Sequence, residues 1–243
     1  MAAKARTRKR AAPRPRAAVE RKGAVRRKAK PAQLDRSARD LAAELQHRVN
    51  NLLATVRAIL GQTRETASTL EDFVDAFDGR LSALARSQML LSRGVDGHAD
   101  LHELLTDELI AHTARIGESV VVSGPEIWLT SRAAEMMAIA FHELAANAVK
   151  YGALATPAGR IDVGWHVESK KAGRHLVLRW REAGVQLPQS VARRGFGAEL
   201  LEEGLPYTFG GAASLQYHPD GLECLMTFPL KPAHFIVAAE AAT

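Results

Sequence analysis

The chain has 243 residues, enough for one large domain or two small ones with a proper core. Its one cysteine, Cys224, excludes an internal disulfide, no apolar run approaches the roughly 18 residues that cross a bilayer, and no apolar leader core is present; a soluble, cytoplasmic protein is expected. The net charge of +6 is unevenly spread: residues 1–33 hold 13 Lys/Arg against one acid, Glu20, and are +12, whereas the remainder is −6.

Residues 1–33 are mostly Ala, Lys, Arg and Pro, offer little to bury, and are expected to be a disordered basic tail. Such a tail suits a nucleic acid or an anionic membrane surface, or serves only as a solubilising extension. Its Arg/Ala bias also fits an organelle transit peptide, but serine is scarce. From Leu34 to Thr66 the pattern is helical. Leu45, Val49, Leu52, Val56, Ile59 and Thr63 step by 4-3-4-3-4, the seam of a helical hairpin or coiled coil. His47 falls opposite that seam. Thr66-Ala67-Ser68-Thr69 breaks the helix, and Ser68 or Thr69 can cap the next one. Leu70, Phe73, Phe77, Leu81, Leu84 and Leu91 continue at helical spacing until Gly94-Val95-Asp96-Gly97. This is a helical hairpin over residues 34–97, and two copies packed by their seams would make a four-helix dimer.

From about residue 98 the pattern becomes α/β. Leu101–Thr113 reads as a helix, and Val120–Val122 and Glu126–Leu129 as short strands. A long helix, capped by Thr130 or Ser131, runs to about Tyr151. Three period-2 strands are expected around Ile161–Val167, Leu176–Trp180 and Leu222–Phe228, with a helix over Gly197–Leu205. Helices and antiparallel strands in this order predict a two-layer α/β sandwich over residues 98–232, followed by a C-terminal tail, 233–243.

The helix ending at Tyr151 carries the most specific chemistry. With Glu143 at 0°, Asn147 falls near about 40° and Lys150 near about −20°. A carboxylate, a carboxamide and an ammonium line one strip, directly beside an apolar stripe of Ala133, Met137, Ala140, Leu144 and Ala148. A polar strip at the edge of a buried face suits the wall of a magnesium-nucleotide pocket. It also suits a plain solvated face.

Three separated segments tip that balance. Glu44-Leu45-Gln46-His47-Arg48-Val49-Asn50-Asn51-Leu52-Leu53-Ala54 resembles the phosphoacceptor helix of HWE-type bacterial sensor histidine kinases, relatives of the HisKA_2 type. His142-Glu143-Leu144-Ala145-Ala146-Asn147-Ala148-Val149-Lys150-Tyr151-Gly152-Ala153 resembles their N box. Trp180-Arg181-Glu182 with Gly195-Phe196-Gly197 resembles their nucleotide boxes. The resemblance implies a dimerising, phosphoaccepting hairpin followed by an ATP-binding sandwich of the kind shared with gyrase and Hsp90.

It also implies roles for particular residues. His47 would accept the phosphoryl group, and Glu143 would orient or deprotonate it. Asn147 would hold Mg²⁺, Lys150 would meet phosphate, and Tyr151 the adenine region. Glu182 would accept from the adenine amino group. Gly184, Gly195 and Gly197 would lie along the nucleotide, with Ala183–Arg194 as a lid from which Arg193 or Arg194 reaches phosphate. His142 either touches ligand or supports the helix, and Trp180 either belongs to the site or is sheet core. The chain departs from the family pattern at Asn50, where Lys is usual, and at Ala183-Gly184-Val185, where Gly-Gly-Pro is common. The implied activity is autophosphorylation of His47 from ATP and transfer to an aspartate of a response regulator. The rivals are a histidine phosphotransfer or scaffold protein with a degenerate ATP site, and a basic-tailed nucleic-acid-binding protein.

Overall fold

A computed structural model describes residues 31–112, 119–186 and 195–237. The chain divides after Asn50 into two compact units. The first contributes the N-terminal part of a 36-residue helix, α1 (Pro31–Thr66). Leu45 and Val49 are 55% and 48% exposed there, and His47 is exposed as well. The tail expected at residues 1–33 lies outside the described residues up to position 30, and Pro31 opens the helix.

In the second unit the remaining turns of α1 lead into α2 (Leu70–Arg93). Thr69 is the N-cap, its hydroxyl accepting from the Asp72 amide at 3.0 Å, which satisfies one of the amides that a helix start leaves unpaired. The expected seam closes only in part. Ile59 and Thr63 are buried and Leu52 and Val56 half-buried, but Leu45, Val49 and Leu70 are exposed. The buried side of α2 keeps the expected Leu84 and Leu91 and adds Arg80, Ala83, Ser87 and Leu90; the helix packs against α4 (Ser131–Lys150).

After β1 (Ala99–Asp100) and α3 (Leu101–His112), the strands β2 (Val120–Ser123) and β3 (Ile127–Leu129) separate into different sheets. The main sheet adds β4 (Arg160–Lys170), β5 (Gly173–Ala183), β6 (Ala212–His218) and β7 (Gly221–Pro229) in the order β2-β4-β5-β7-β6. Its pairings are antiparallel except β2 with β4, which is parallel and departs from the all-antiparallel expectation. β3 sits between β1 and β8 (Phe235–Val237) in a small second sheet, so part of the segment expected to be a tail is a strand.

Period-2 alternation turns Ile161, Val163 and Trp165, then Leu176, Leu178 and Trp180, then Leu222, Cys224, Met226 and Phe228 to one buried face. Leu105, Met137, Leu144 and Phe209 join the same core from the helical layer. The helix expected at Gly197–Leu205 is α5 (Phe196–Glu199) and α6 (Leu205–Phe209), joined by a π-helical turn over Leu200–Gly204. Pro206, at the start of α6, has no amide to extend the ladder. No helix among the described residues is long and apolar enough to cross a membrane.

Candidate functional site

Helix α4 presents the strip where its periodicity puts it. Ala133, Met137, Ala140, Leu144 and Ala148 are buried; Glu143 is partly buried; Asn147 and Lys150 are exposed one and two turns further on. Thr130 occupies the N-cap position, but its hydroxyl donates to the Ala233 carbonyl at 3.0 Å instead of capping. Tyr151, at the C-terminal end, is 71% exposed.

Glu182 comes to this helix end because β5 keeps its alternation past Trp180, placing a carboxylate where the next core side chain would stand. It is 3% exposed. One oxygen accepts the Ala153 amide at 2.8 Å and the other the Trp180 indole N–H at 3.1 Å. Burial raises its carboxyl above the usual range, and the two donors offset this only in part. A carboxylate has about four lone-pair sites, so each oxygen keeps one for a further donor. Gly152 makes the arrangement possible: a Cβ there would lie 2.0 Å from Glu182 Oε2 and 2.8 Å from Ala148 Cα. Trp180 is fully buried sheet core, as its alternation indicated, and its indole also donates to this carboxylate.

Glu143 has a partner that sequence reading did not identify. Arg80 of α2 donates from Nε to Glu143 Oε1 at 2.7 Å and from Nη1 to Thr63 Oγ1 at 2.6 Å. Its guanidinium lies 3.9 Å from the centroid of the Phe196 ring. Phe196 is itself buried with Ile59, Leu84 and Ile139. Gly197 lies tightly against Glu143, since a Cβ there would meet Glu143 Cβ and Oε2 at 3.0 Å. The Gly-Phe-Gly segment therefore brings its second glycine to the carboxylate.

His142 faces the other way. Its Nδ1 lies 3.0 Å from His112 Nε2 and 3.7 Å from Glu108 Oε2, and its Nε2 is 2.6 Å from where a Cβ on Gly79 would be. Arg86 grips the fully buried Glu108 as a fork, at 2.9 and 2.6 Å. Burial raises the Glu108 carboxyl, but the nearby His142 ring and the Arg86 fork outweigh it and hold the group below its ordinary range. Burial, then the His142 charge, lower His112 to about 4, so it is neutral near pH 7.

Glu108, His112 and His142 have the donor types of a zinc site, and their ligand atoms lie within 4.8 Å of one another. The Arg86 guanidinium already neutralises the carboxylate and puts a fixed positive charge beside any such ion. The short imidazole contact is accounted for by one ring donating to the other. The cluster is a structural ion pair and hydrogen-bond chain joining α2, α3 and α4.

Gly184 has φ of +78°, and a Cβ there would meet the Ala158 carbonyl oxygen at 2.6 Å, so the backbone itself demands glycine. Gly195 is exposed with open space around it. Arg193 and Arg194, and most of the expected lid, lie outside the described residues. The structure thus brings Glu143, Asn147, Lys150, Glu182 and Gly197 to α4 and its C-terminal end, and turns His142 toward α2 and α3.

Residues 44–126 match the family model for the HWE histidine kinase. Blue-light-activated histidine kinase 1 of Erythrobacter litoralis is 35% identical over 197 residues, which are 79% of this chain and 53% of that protein. A blue-light-activated histidine kinase of Brucella anthropi is 30% identical over 193 residues, covering 79% and 39%. The chain spans about half, or less, of the length of these curated relatives. The solved histidine kinase domain of the Erythrobacter litoralis EL346 protein superposes with a TM-score of 0.54 at 16% identity, over 79% of this chain and 91% of that one. That likeness gives the fold: a helical N-terminal region followed by the α/β domain of histidine kinase catalytic regions. The chain belongs to the HWE histidine kinase family.

Proposed function

We propose that this chain is a protein-histidine kinase that binds ATP, phosphorylates His47 and passes the phosphoryl group to an aspartate on a response regulator. One observation carries the nucleotide reading. A buried carboxylate, Glu182, is fixed by two donors beside the end of a helix whose open strip offers Glu143, Asn147 and Lys150. Glu182 has lone pairs left for an adenine amino group. Lys150 supplies positive charge for phosphate, and Asn147 an amide oxygen suited to a hard cation.

Mg²⁺, when bound, would neutralise phosphate charge, with Asn147 as its protein ligand. Glu143 would orient the attacking imidazole or take its proton, and Gly197 would let the nucleotide loop approach that carboxylate. Exposed Leu53, Leu60, Val74 and Leu81 on the hairpin helices supply apolar surface for a homodimer. The basic tail remains available to a nucleic acid or anionic membrane surface, and the cytoplasm is the proposed setting.

The test is incubation with γ-labelled ATP and Mg²⁺, followed by stability of the label in acid and base. Acid-labile, base-stable label that disappears in His47→Ala, with ATP binding and helicity retained, is the expected result. Undiminished labelling of His47→Ala removes the phosphoacceptor assignment. Absence of measurable nucleotide binding would favour a phosphotransfer scaffold.

A further inference from the structure

We infer that Arg80 is the positioning residue through which the helical hairpin sets the reactive carboxylate of the ATP site. The inference rests on the reading of Glu143 proposed above.

Arg80 lies inside α2 with its side chain only 6% exposed, and the Glu143 side chain is 12% exposed. Removing an arginine from water is costly unless its donors and its planar face are used, and here both are. Nε binds Glu143 on α4, Nη1 binds Thr63 on α1, and the planar face lies over Phe196 of the glycine segment. The Thr63 hydroxyl donates to the Ile59 carbonyl at 2.6 Å, so toward Arg80 it can act only as acceptor. The donor roles are therefore fixed: the guanidinium donates both to the carboxylate and to the hydroxyl, and the hydroxyl donates on to the carbonyl.

The guanidinium is planar and its donors form a rigid fork, so two anchored contacts and a stacked face leave little freedom. Glu143 is then held between Arg80 Nε on one oxygen and the close approach of Gly197 on the other. Four segments, α1, α2, α4 and the start of α5, meet at this one side chain. A shift of α2 relative to α4 would move the carboxylate, and a displacement of about 1 Å at a reacting group costs about 100-fold in rate. Arg80 touches no reacting atom itself. It acts through Glu143.

The experiment measures autophosphorylation rate against ATP concentration for the full chain and its Arg80→Gln, Arg80→Lys, Thr63→Val and Glu143→Gln variants. Arg80→Gln should lower the rate at saturating ATP about 100-fold while leaving the ATP concentration at half-maximal rate within about twofold. Arg80→Lys, which keeps the charge but loses the fork, should recover part of that loss. Thr63→Val should fall between Arg80→Lys and wild type. Arg80→Gln combined with Glu143→Gln should be no slower than Glu143→Gln alone.

A wild-type rate in folded Arg80→Gln overturns the inference, as does a parallel weakening of ATP use, which would mark a merely structural role. Should Arg80→Gln fail to fold, Arg80→Lys and Thr63→Val carry the test, and wild-type rates in both overturn it. Glu143→Gln separates the two layers. If it labels normally, the reading of Glu143 fails; if it is dead while Arg80→Gln is active, only the present inference fails.

Discussion

Gly152→Ala is a small change that should have a large effect. The added methyl would sit 2.0 Å from Glu182 Oε2 and 2.8 Å from Ala148 Cα. Ala148 is backbone in a continuous helix and cannot retreat, so the carboxylate must. Glu182 is held by the Ala153 amide at 2.8 Å and the Trp180 indole at 3.1 Å, and its displacement strains or breaks both bonds. Hydrogen bonds to a charged group contribute about 1.5–3 kcal/mol each, and overpacking a filled site costs about 1–3 kcal/mol. The backbone at Gly152, φ −110° and ψ −152°, is open to alanine, so reduced freedom of the unfolded chain returns about 0.4–1 kcal/mol. With the two strained bonds together losing about the worth of one, the net is about 4 kcal/mol. At roughly 2–4 °C per kcal/mol for a chain of this size, the melting temperature should fall by roughly 8–16 °C. Urea and thermal unfolding measure this directly. The decisive control is a double-mutant cycle with Glu182→Ala, which removes the obstructing carboxylate. The doubly substituted protein should be more stable than the sum of the single losses predicts. Strict additivity, or a single variant melting within about 2 °C of wild type, would refute the account of why Gly152 is glycine.

Asn147→Ala should weaken Mg²⁺-ATP binding and stop autophosphorylation without lowering stability, because the side chain is exposed; calorimetry and labelling check this. Glu182→Ala should reduce the discrimination between ATP and GTP, read from competition binding. Acid should destabilise the α2–α3–α4 cluster. The unfolded chain protonates His112 near its ordinary value while the folded chain resists until about 4, so stability falls over that interval as pH drops. Glu108, held below its usual range, adds a loss of the same sign at lower pH. Urea midpoints at about pH 7 and about pH 5 should therefore differ less in His112→Phe than in wild type. Removing residues 1–30, which carry 13 Lys/Arg and one acid, should leave autophosphorylation within a few-fold of wild type. It should abolish binding to DNA or anionic vesicles seen at low salt, because that binding is largely counterion release.

Periodicity carried much of the fold. The core faces of α4, β4, β5 and β7 are the ones their spacing of 3.6 or 2 indicates, since each has one buried side and the alternative would expose Met137, Trp180 or Phe228. The same logic found the apolar seam on α1 but not what covers it within the chain. Leu45 and Val49 have the spacing of buried residues, but spacing says only that a side is apolar, not what covers it, and both are exposed. β6, reading Ala-Ala-Ser-Leu-Gln-Tyr-His, lacks clean alternation because it is a partly buried edge strand. β8 is three residues long and takes its identity from pairing with β3, more than 100 positions earlier.

For the site, the strip on α4 was legible because its residues are neighbours on one helix. Arg80, Glu108 and His112 were not, because their meaning comes from partners on other elements: Arg80 meets Glu143, 63 residues away, and Arg86 meets Glu108, 22 residues away. Yet the sequence left two marks at these junctions. An arginine at position 80 interrupts the apolar side of α2, where an unpaired charge would be costly. A glycine at position 79, inside the same helix, is worse for helix stability than alanine by about 0.8–1 kcal/mol. Each is unfavourable within α2, and each is explained by α4: Gly79 admits the His142 ring, and Arg80 binds the carboxylate of the very next residue, Glu143. Adjacent residues on one helix thus receive adjacent residues of the other. Local propensity is overridden at the one level where the hairpin meets the polar strip, as expected if that contact is what the two helices are built to hold.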